Sequence, residues 1–125
     1  MIDTKRVKET DVSECTEQGW KKEKIDYVLM RSAYGTNYVE VVTQDVENEY
    51  AVRHRLLVCT DEEYYTEEER KFIYKNVKKF ITAFDINIDD FVKNPSSAVG
   101  KTAMIWNDGT ETELIPFSYL RLKKQ

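Results

Sequence analysis

Gly100-Lys101-Thr102, within the stretch NPSSAVGKTAMIW at 94–106, has the residue types that close a phosphate-binding loop. Such a loop reads G-x-x-x-x-G-K-[ST] between a strand and a helix, so that backbone amides and one lysine cradle the phosphates. Position 95, five before Gly100, is proline rather than glycine. Helical character precedes the tripeptide and strand character follows it in AMIW. No helix N-terminus is therefore in place to gather the amides, and the order argues against nucleotide hydrolysis. Gly100 reads instead as the start of a strand, where glycine permits a bulge or a close backbone approach.

Other reactive chemistry has less to work with. The single histidine, His54, lies between Arg53 and Arg55, with no second His or Cys at metal-ligand spacing. Cys15 and Cys59 are far apart and read as reduced, partly buried side chains. The segment DEEYYTEEE at 61–69 holds six acidic residues and no basic one. It lacks the D-x-[DN]-x-[DN]-G order of a calcium loop and reads as the solvated acidic end of a helix. No Ser-His-Asp or Cys-His arrangement is supported. The expectation is a non-catalytic protein with no metal site and no cofactor.

Binding chemistry is better represented. Single-stranded nucleic acid is held by aromatic faces that stack bases and by Lys or Arg that follow the backbone. Tyr27, Tyr34, Tyr38, Trp106, Phe117 and Tyr119 are interleaved with Lys22, Lys24, Arg31, Arg53, Arg55 and Lys101. In a strand, Tyr38 alternates away from Val39 and Val41, and Arg53 and Arg55 alternate away from Val52 and Leu56. The candidate nucleic-acid-binding set is Tyr38, Arg53, Arg55, Lys101, Trp106 and Tyr34. The competing reading places these aromatics in a core, with Trp106 and Phe117 the most open to it. Glu40, on the face of Tyr38, argues against a purely basic surface.

The elements that must position these residues follow from periodicity. WKKEKIDYVLMRS from Trp20 has Ile25, Tyr27 and Leu29 at alternate positions and predicts a strand, with a turn at 32–35. TNYVEVVTQDV at 36–46 and YAVRHRLLVC at 50–59 predict a second and third strand, and short turns make the three an antiparallel meander. Thr66 with Glu69 is a capping-box signature. Ile73, Val77, Phe80, Ile81 and Phe84 then recur at helical spacing, predicting a helix over about 66–84. INIDDFVKN predicts a short second helical piece closed by Asn94-Pro95. Strands are expected over 98–106 and 112–122, joined by a hairpin at Asn107-Asp108-Gly109, and Pro116 confines the last to an edge or a bulge.

Residues 1–18 show no sustained period and read as an arm pairing partly with the sheet, leaving 19–125 as one domain. The order β-β-β-α-β-β is mostly β with one main helix and fits an OB-fold-like five-stranded Greek-key barrel with the helix as its plug. The same elements also fit an α+β sheet with a helix on one face.

At 125 residues the chain is about one domain, and 41% hydrophobic residues with 12% aromatics suit a globular protein. No apolar run approaches membrane-spanning length, and the first 20 residues hold no apolar stretch suited to a signal peptide. No membrane partner and a cytoplasmic location are expected. The net charge is −4, but the acids at 61–69 account for more than that, leaving the remainder net positive. An acidic pole is compatible with a basic groove elsewhere because screening confines exposed charges to about 8–10 Å.

RKFIYKNVKKFITAFDINIDDFVKNPSSAVGKTAMIW, followed by NDGTETELIPFSYLR, resembles a family of phage-encoded small OB-fold proteins of a domain of unknown function, some of them described as single-stranded-DNA-binding. ITAFDI stands for the family's helix end, with Phe84-Asp85 where a small residue and glycine are usual. SAVGK matches the segment that opens the next strand, and GWKKEKIDYVLM is similar to the opening strand. The resemblance implies a single-stranded-DNA-binding accessory of phage replication or recombination in the host cytoplasm, with RNA as a second candidate ligand. The alternative is a protein-interaction module, or a phage inhibitor of a host nucleic-acid enzyme, whose acidic segment 61–69 docks a basic partner. Small OB proteins often pair through an edge strand, and the strand with Pro116 is the candidate homo-oligomer contact.

Overall fold

A single strand of 14 residues, β2 (Trp20–Ala33), organises the sheet. The computed structural model describes residues 2–12, 14–15, 20–33, 36–45, 51–56, 58, 63, 65–106 and 121–123. From Glu23 to Ala33 β2 pairs antiparallel with β3 (Thr36–Asp45), and its first five residues, Trp20 to Lys24, pair antiparallel with β5 (Thr102–Trp106). β4 (Ala51–Leu56) pairs antiparallel with β3, completing the expected meander. β6 (Arg121–Lys123) pairs antiparallel with β5, and the short β1 (Glu14–Cys15) lies parallel to β6. The sheet order is β1-β6-β5-β2-β3-β4. The run β5-β2-β3-β4, in which the fourth strand of the main series returns beside the first, is Greek-key order.

Closure into a barrel is not seen. Among the described residues no ladder joins β4 to β6 or to β1, so the sheet is open and the fold is mixed α/β. The fourth strand begins at Thr102 rather than at 98, because Pro95–Ala98 forms a 3-10 turn first. Of the expected strand over 112–122 only the end at Arg121 is described. The hairpin at Asn107-Asp108-Gly109 and Pro116 lie outside the described residues.

The phase of β2 differs from simple alternation. A bulge at Asp26 lets Ile25 pair with Thr43 while Tyr27 pairs with Val42. One extra residue exchanges the faces of everything beyond it. Ile25 therefore keeps company with Val28, Val39 and Val41 on the core side, whereas Tyr27 and Leu29 move to the opposite face. The expectation that Ile25, Tyr27 and Leu29 share a face is overturned by that single inserted residue.

Three helices pack the core side. In α2 (Glu67–Ala83) the capping box is formed in both directions: Glu69 N–H donates to Thr66 Oγ1, and Thr66 N–H donates to Glu69 Oε1. Its buried stripe of Ile73, Val77, Phe80, Ile81 and the following Phe84 meets Ile25, Val39, Val41 and Leu56 in one cluster. Phe80 stacks obliquely on Phe84 and on Phe91, with centroids 5.3 Å apart in both pairs. The helix ends by a Schellman-type turn: Ile86 N–H donates to the Ile81 carbonyl at 2.8 Å and Asp85 N–H to the Thr82 carbonyl. Asp85 takes the left-handed position, φ 52°, where glycine is usual and Asp is among the better-tolerated alternatives. Helix α3 (Ile88–Lys93), capped by Asn87, contributes Ile88 and Phe91 and stops at Asn94-Pro95 as expected.

The N-terminal segment is more structured than its irregular sequence suggests. Asp3 caps a six-residue helix, α1 (Thr4–Glu9), whose Val7 is fully buried. Ile2 N–H donates to the carbonyl of Val58. Arg6 pairs with Glu67 through both guanidinium Nη atoms and lies over the Tyr74 ring at 4.8 Å, and Lys8 pairs with Asp89 at 2.6 Å. Charges on one short turn thus tie it to both α2 and α3. The expected partial pairing of this arm with the sheet is β1.

Candidate nucleic-acid interface

The face of the sheet turned away from α2 is set by the Asp26 bulge. From β2 it carries Lys22, Lys24, Tyr27, Leu29 and Arg31, all exposed. β3 adds Tyr38, Glu40 and Val42, and β5 adds Thr102 and Met104. Tyr27, Leu29 and Met104 are each 39% exposed, which is high for large apolar groups on a sheet. Along β2 the outward side chains thus run as two cations, Lys22 and Lys24, then Tyr27 and Leu29, then a third cation, Arg31, at a strand spacing of roughly 6–7 Å from one outward residue to the next.

The centre of this face is a polar cluster. Arg31 is the direct cross-strand partner of Tyr38, and Leu29 that of Glu40. Arg31 Nε–H donates to Glu40 Oε2 at 2.7 Å, a diagonal pair between adjacent strands. The Glu40 side chain is only 5% exposed, and that of Arg31 is 51% exposed. The hydrogen bond and charge of Glu40 hold Arg31 still more firmly in its charged form, and the phenols of Tyr38 and Tyr27 add smaller contributions in the same direction.

The sequence-predicted residues divide. Tyr38 lies on this face, half-buried beside Arg31. Arg53 and Arg55 are the backbone partners of Val42 and Glu40, so the pleat assigns their positions to the same face; their side chains lie outside the described residues. Trp106 pairs through its backbone with Trp20, its side chain likewise undescribed, and Tyr34 lies outside the described residues. Lys101 is exposed but belongs elsewhere. It lines an open groove of about 560 Å³ with Asp85, Asp90, Lys93, Asn94 and Ser97, beside α3. Tyr27, Arg31, Lys22 and Lys24, named in the wider pool of aromatics and cations but not in the candidate set, also lie on this face. The one sequence hint was Asp26, a residue type that strands disfavour.

Gly100 has a backbone role at the edge of this face. Its φ is 91°, and a Cβ there would meet nothing within 4 Å, so conformation rather than close approach calls for glycine.

The acidic segment is partly committed to internal contacts. Arg6 holds the Glu67 carboxyl below the usual carboxylate range, and the Thr66 backbone amide, with its hydroxyl, does so for Glu69. Glu63 and Glu68 are exposed, while Asp61 and Glu62 lie outside the described residues. Among the described residues no helix is long and apolar enough to cross a membrane, and no group of three or more His, Cys, Asp or Glu is placed to hold a metal ion.

Comparison with family models, with curated proteins and with solved structures found no match, so the likeness to the phage family rests on the quoted segments alone.

Proposed function

We propose that this chain is a non-catalytic single-stranded-nucleic-acid-binding protein, with DNA as its ligand in a phage replication or recombination setting. The observation that carries the reading is the bulge at Asp26. It places Tyr27, Lys22, Lys24 and Arg31 on the face of Tyr38 and away from the core. Aromatic faces accept any base, and the cations on either side of them along β2 neutralise phosphates, which gives sequence-tolerant and salt-sensitive binding. A duplex would meet the cations but leave Tyr27, Leu29 and Met104 without bases to cover them, so the exposed apolar groups favour a single strand.

The ladders support an OB-like, partly open barrel as the finer description of the fold. β2 serves two neighbours with different parts of its length, and α2 approaches β4 on one flank of the sheet and β5 and β6 on the other.

Fluorescence anisotropy with labelled oligothymidine tests the function. Binding at micromolar protein in low salt, weakening as salt rises and competed poorly by duplex, is the expected result. No binding under those conditions overturns the proposal. The rival reading, a basic protein partner docked on 61–69, is weakened by the internal use of the Glu67 and Glu69 carboxylates.

A further inference from the structure

Glu40 looks misplaced on a surface meant for phosphates, and its geometry suggests the reverse. It lies on the outward face of β3 yet is 4% exposed, and burying a carboxylate that deeply is costly unless a charged or hydrogen-bonding group partners it. Arg31 provides one at 2.7 Å, through Nε, its only guanidinium contact among the described residues. Guanidinium carries five N–H donors in a planar fork, one on Nε and four on the two Nη atoms. With Nε committed to a buried oxygen, the plane of the group is fixed and its Nη edge remains on a half-exposed side chain. That edge matches two oxygens of one phosphate, a fit that lysine cannot reproduce. The cross-strand partner of Arg31 is Tyr38, so an aromatic ring stands beside the place where the phosphate would be held.

We propose that Arg31 is a phosphate clamp of this face, taking one phosphodiester of a single strand through Nη1 and Nη2, and that Glu40 is its positioning residue. The inference rests on the reading that this face binds nucleic acid. It assigns opposite consequences to one substitution. If Glu40 were merely an unfavourable charge, neutralising it would strengthen binding. If it orients Arg31, neutralising it releases the guanidinium into many rotamers and weakens binding although a negative charge has gone.

The test is anisotropy with labelled oligothymidine across a salt series for the wild type, Glu40→Gln, Arg31→Lys and the double variant, with circular dichroism to confirm folding. Glu40→Gln and Arg31→Lys should each weaken binding about tenfold. The salt slope should stay close to that of the wild type for Arg31→Lys, because the charge count is kept. The double variant should bind no more weakly than Arg31→Lys alone, the non-additivity expected of two residues acting as one device. Tighter or unchanged binding by Glu40→Gln overturns the positioning role while leaving the face intact. Unchanged binding by Arg31→Lys overturns the clamp, and it decides alone should the buried Glu40 variant fail to fold. A wild type that does not bind removes the reading of the face together with the clamp.

Discussion

Gly100 and Ile25 are bonded to each other across the sheet at the point where β2 bulges. The Gly100 amide donates to the Ile25 carbonyl at 2.8 Å, and the Ile25 amide donates to the next carbonyl along, that of Lys101, at 2.9 Å. The chain entering β5 therefore holds the residue after which the phase of β2 changes. The glycine of the apparent phosphate loop contributes to the outward face by fixing backbone, and a left-handed φ is what lets it do so.

Gly100→Ala should accordingly destabilise the fold by about 1–2 kcal/mol, the usual cost of a Cβ in a left-handed conformation. Space is not the obstacle, since the added methyl meets nothing within 4 Å. A lower urea midpoint with unchanged m-value is the expected signature. An unshifted midpoint would show that the backbone relaxes freely at this junction.

Tyr27→Ala and Tyr38→Ala should each weaken oligothymidine binding by about 1–3 kcal/mol, with Phe at either position retaining most of the affinity because the stacking face survives. Tyr27 is the sharper test. Uninterrupted alternation would assign it to the core with Ile25, in which case its removal would lower stability rather than affinity. Paired anisotropy and thermal unfolding separate the two outcomes.

Arg53→Ala should lessen the salt dependence of binding by roughly one phosphate's worth, a slope change near 0.7 for a single strand. The position follows from its pairing with Val42 in the ladder. A slope equal to that of the wild type would exclude Arg53 from the path of the backbone.

Acid should weaken the fold through three carboxylates. Glu67 is held below its ordinary value by Arg6, Glu69 by the Thr66 amide, and Asp89 by Lys8 and Thr4. Their folded-state values lie under the unfolded ones, so the stability they contribute is complete above the unfolded carboxylate range. It is lost as pH falls through the depressed folded values, roughly from pH 5 to pH 2. Urea midpoints measured down this range should fall, and Arg6→Ala should flatten the Glu67 part of that fall. Since these side chains are exposed, added salt should reduce the effect.

Charge reversal at Glu63 and Glu68 distinguishes the two functional readings. Both are exposed. The variant should keep or improve oligothymidine binding, whereas a protein docked on this segment would be lost in pull-down.

What the sequence determined by itself was local. The α2 helix is legible because its stripe, its capping box and its acidic first turn are all encoded within one short segment. The three-strand meander and the stop at Asn94-Pro95 are likewise short-range properties of β-branched runs and proline. The tertiary structure decided matters that turn on partners distant in the chain. The phase of β2 depends on β3 and on Gly100, so periodicity read through Asp26 put Tyr27 and Leu29 on the wrong side. Helix α1 is too short to stand on propensity and exists through its cap, the buried Val7 and the ion pairs to Glu67 and Asp89. Lys101 was grouped with Tyr38 by residue type, and the chain path sends it to the groove beside α3. Residue types announced a surface of aromatics and cations, and register chose which of them share it, because in a sheet one inserted residue moves every later side chain to the other face.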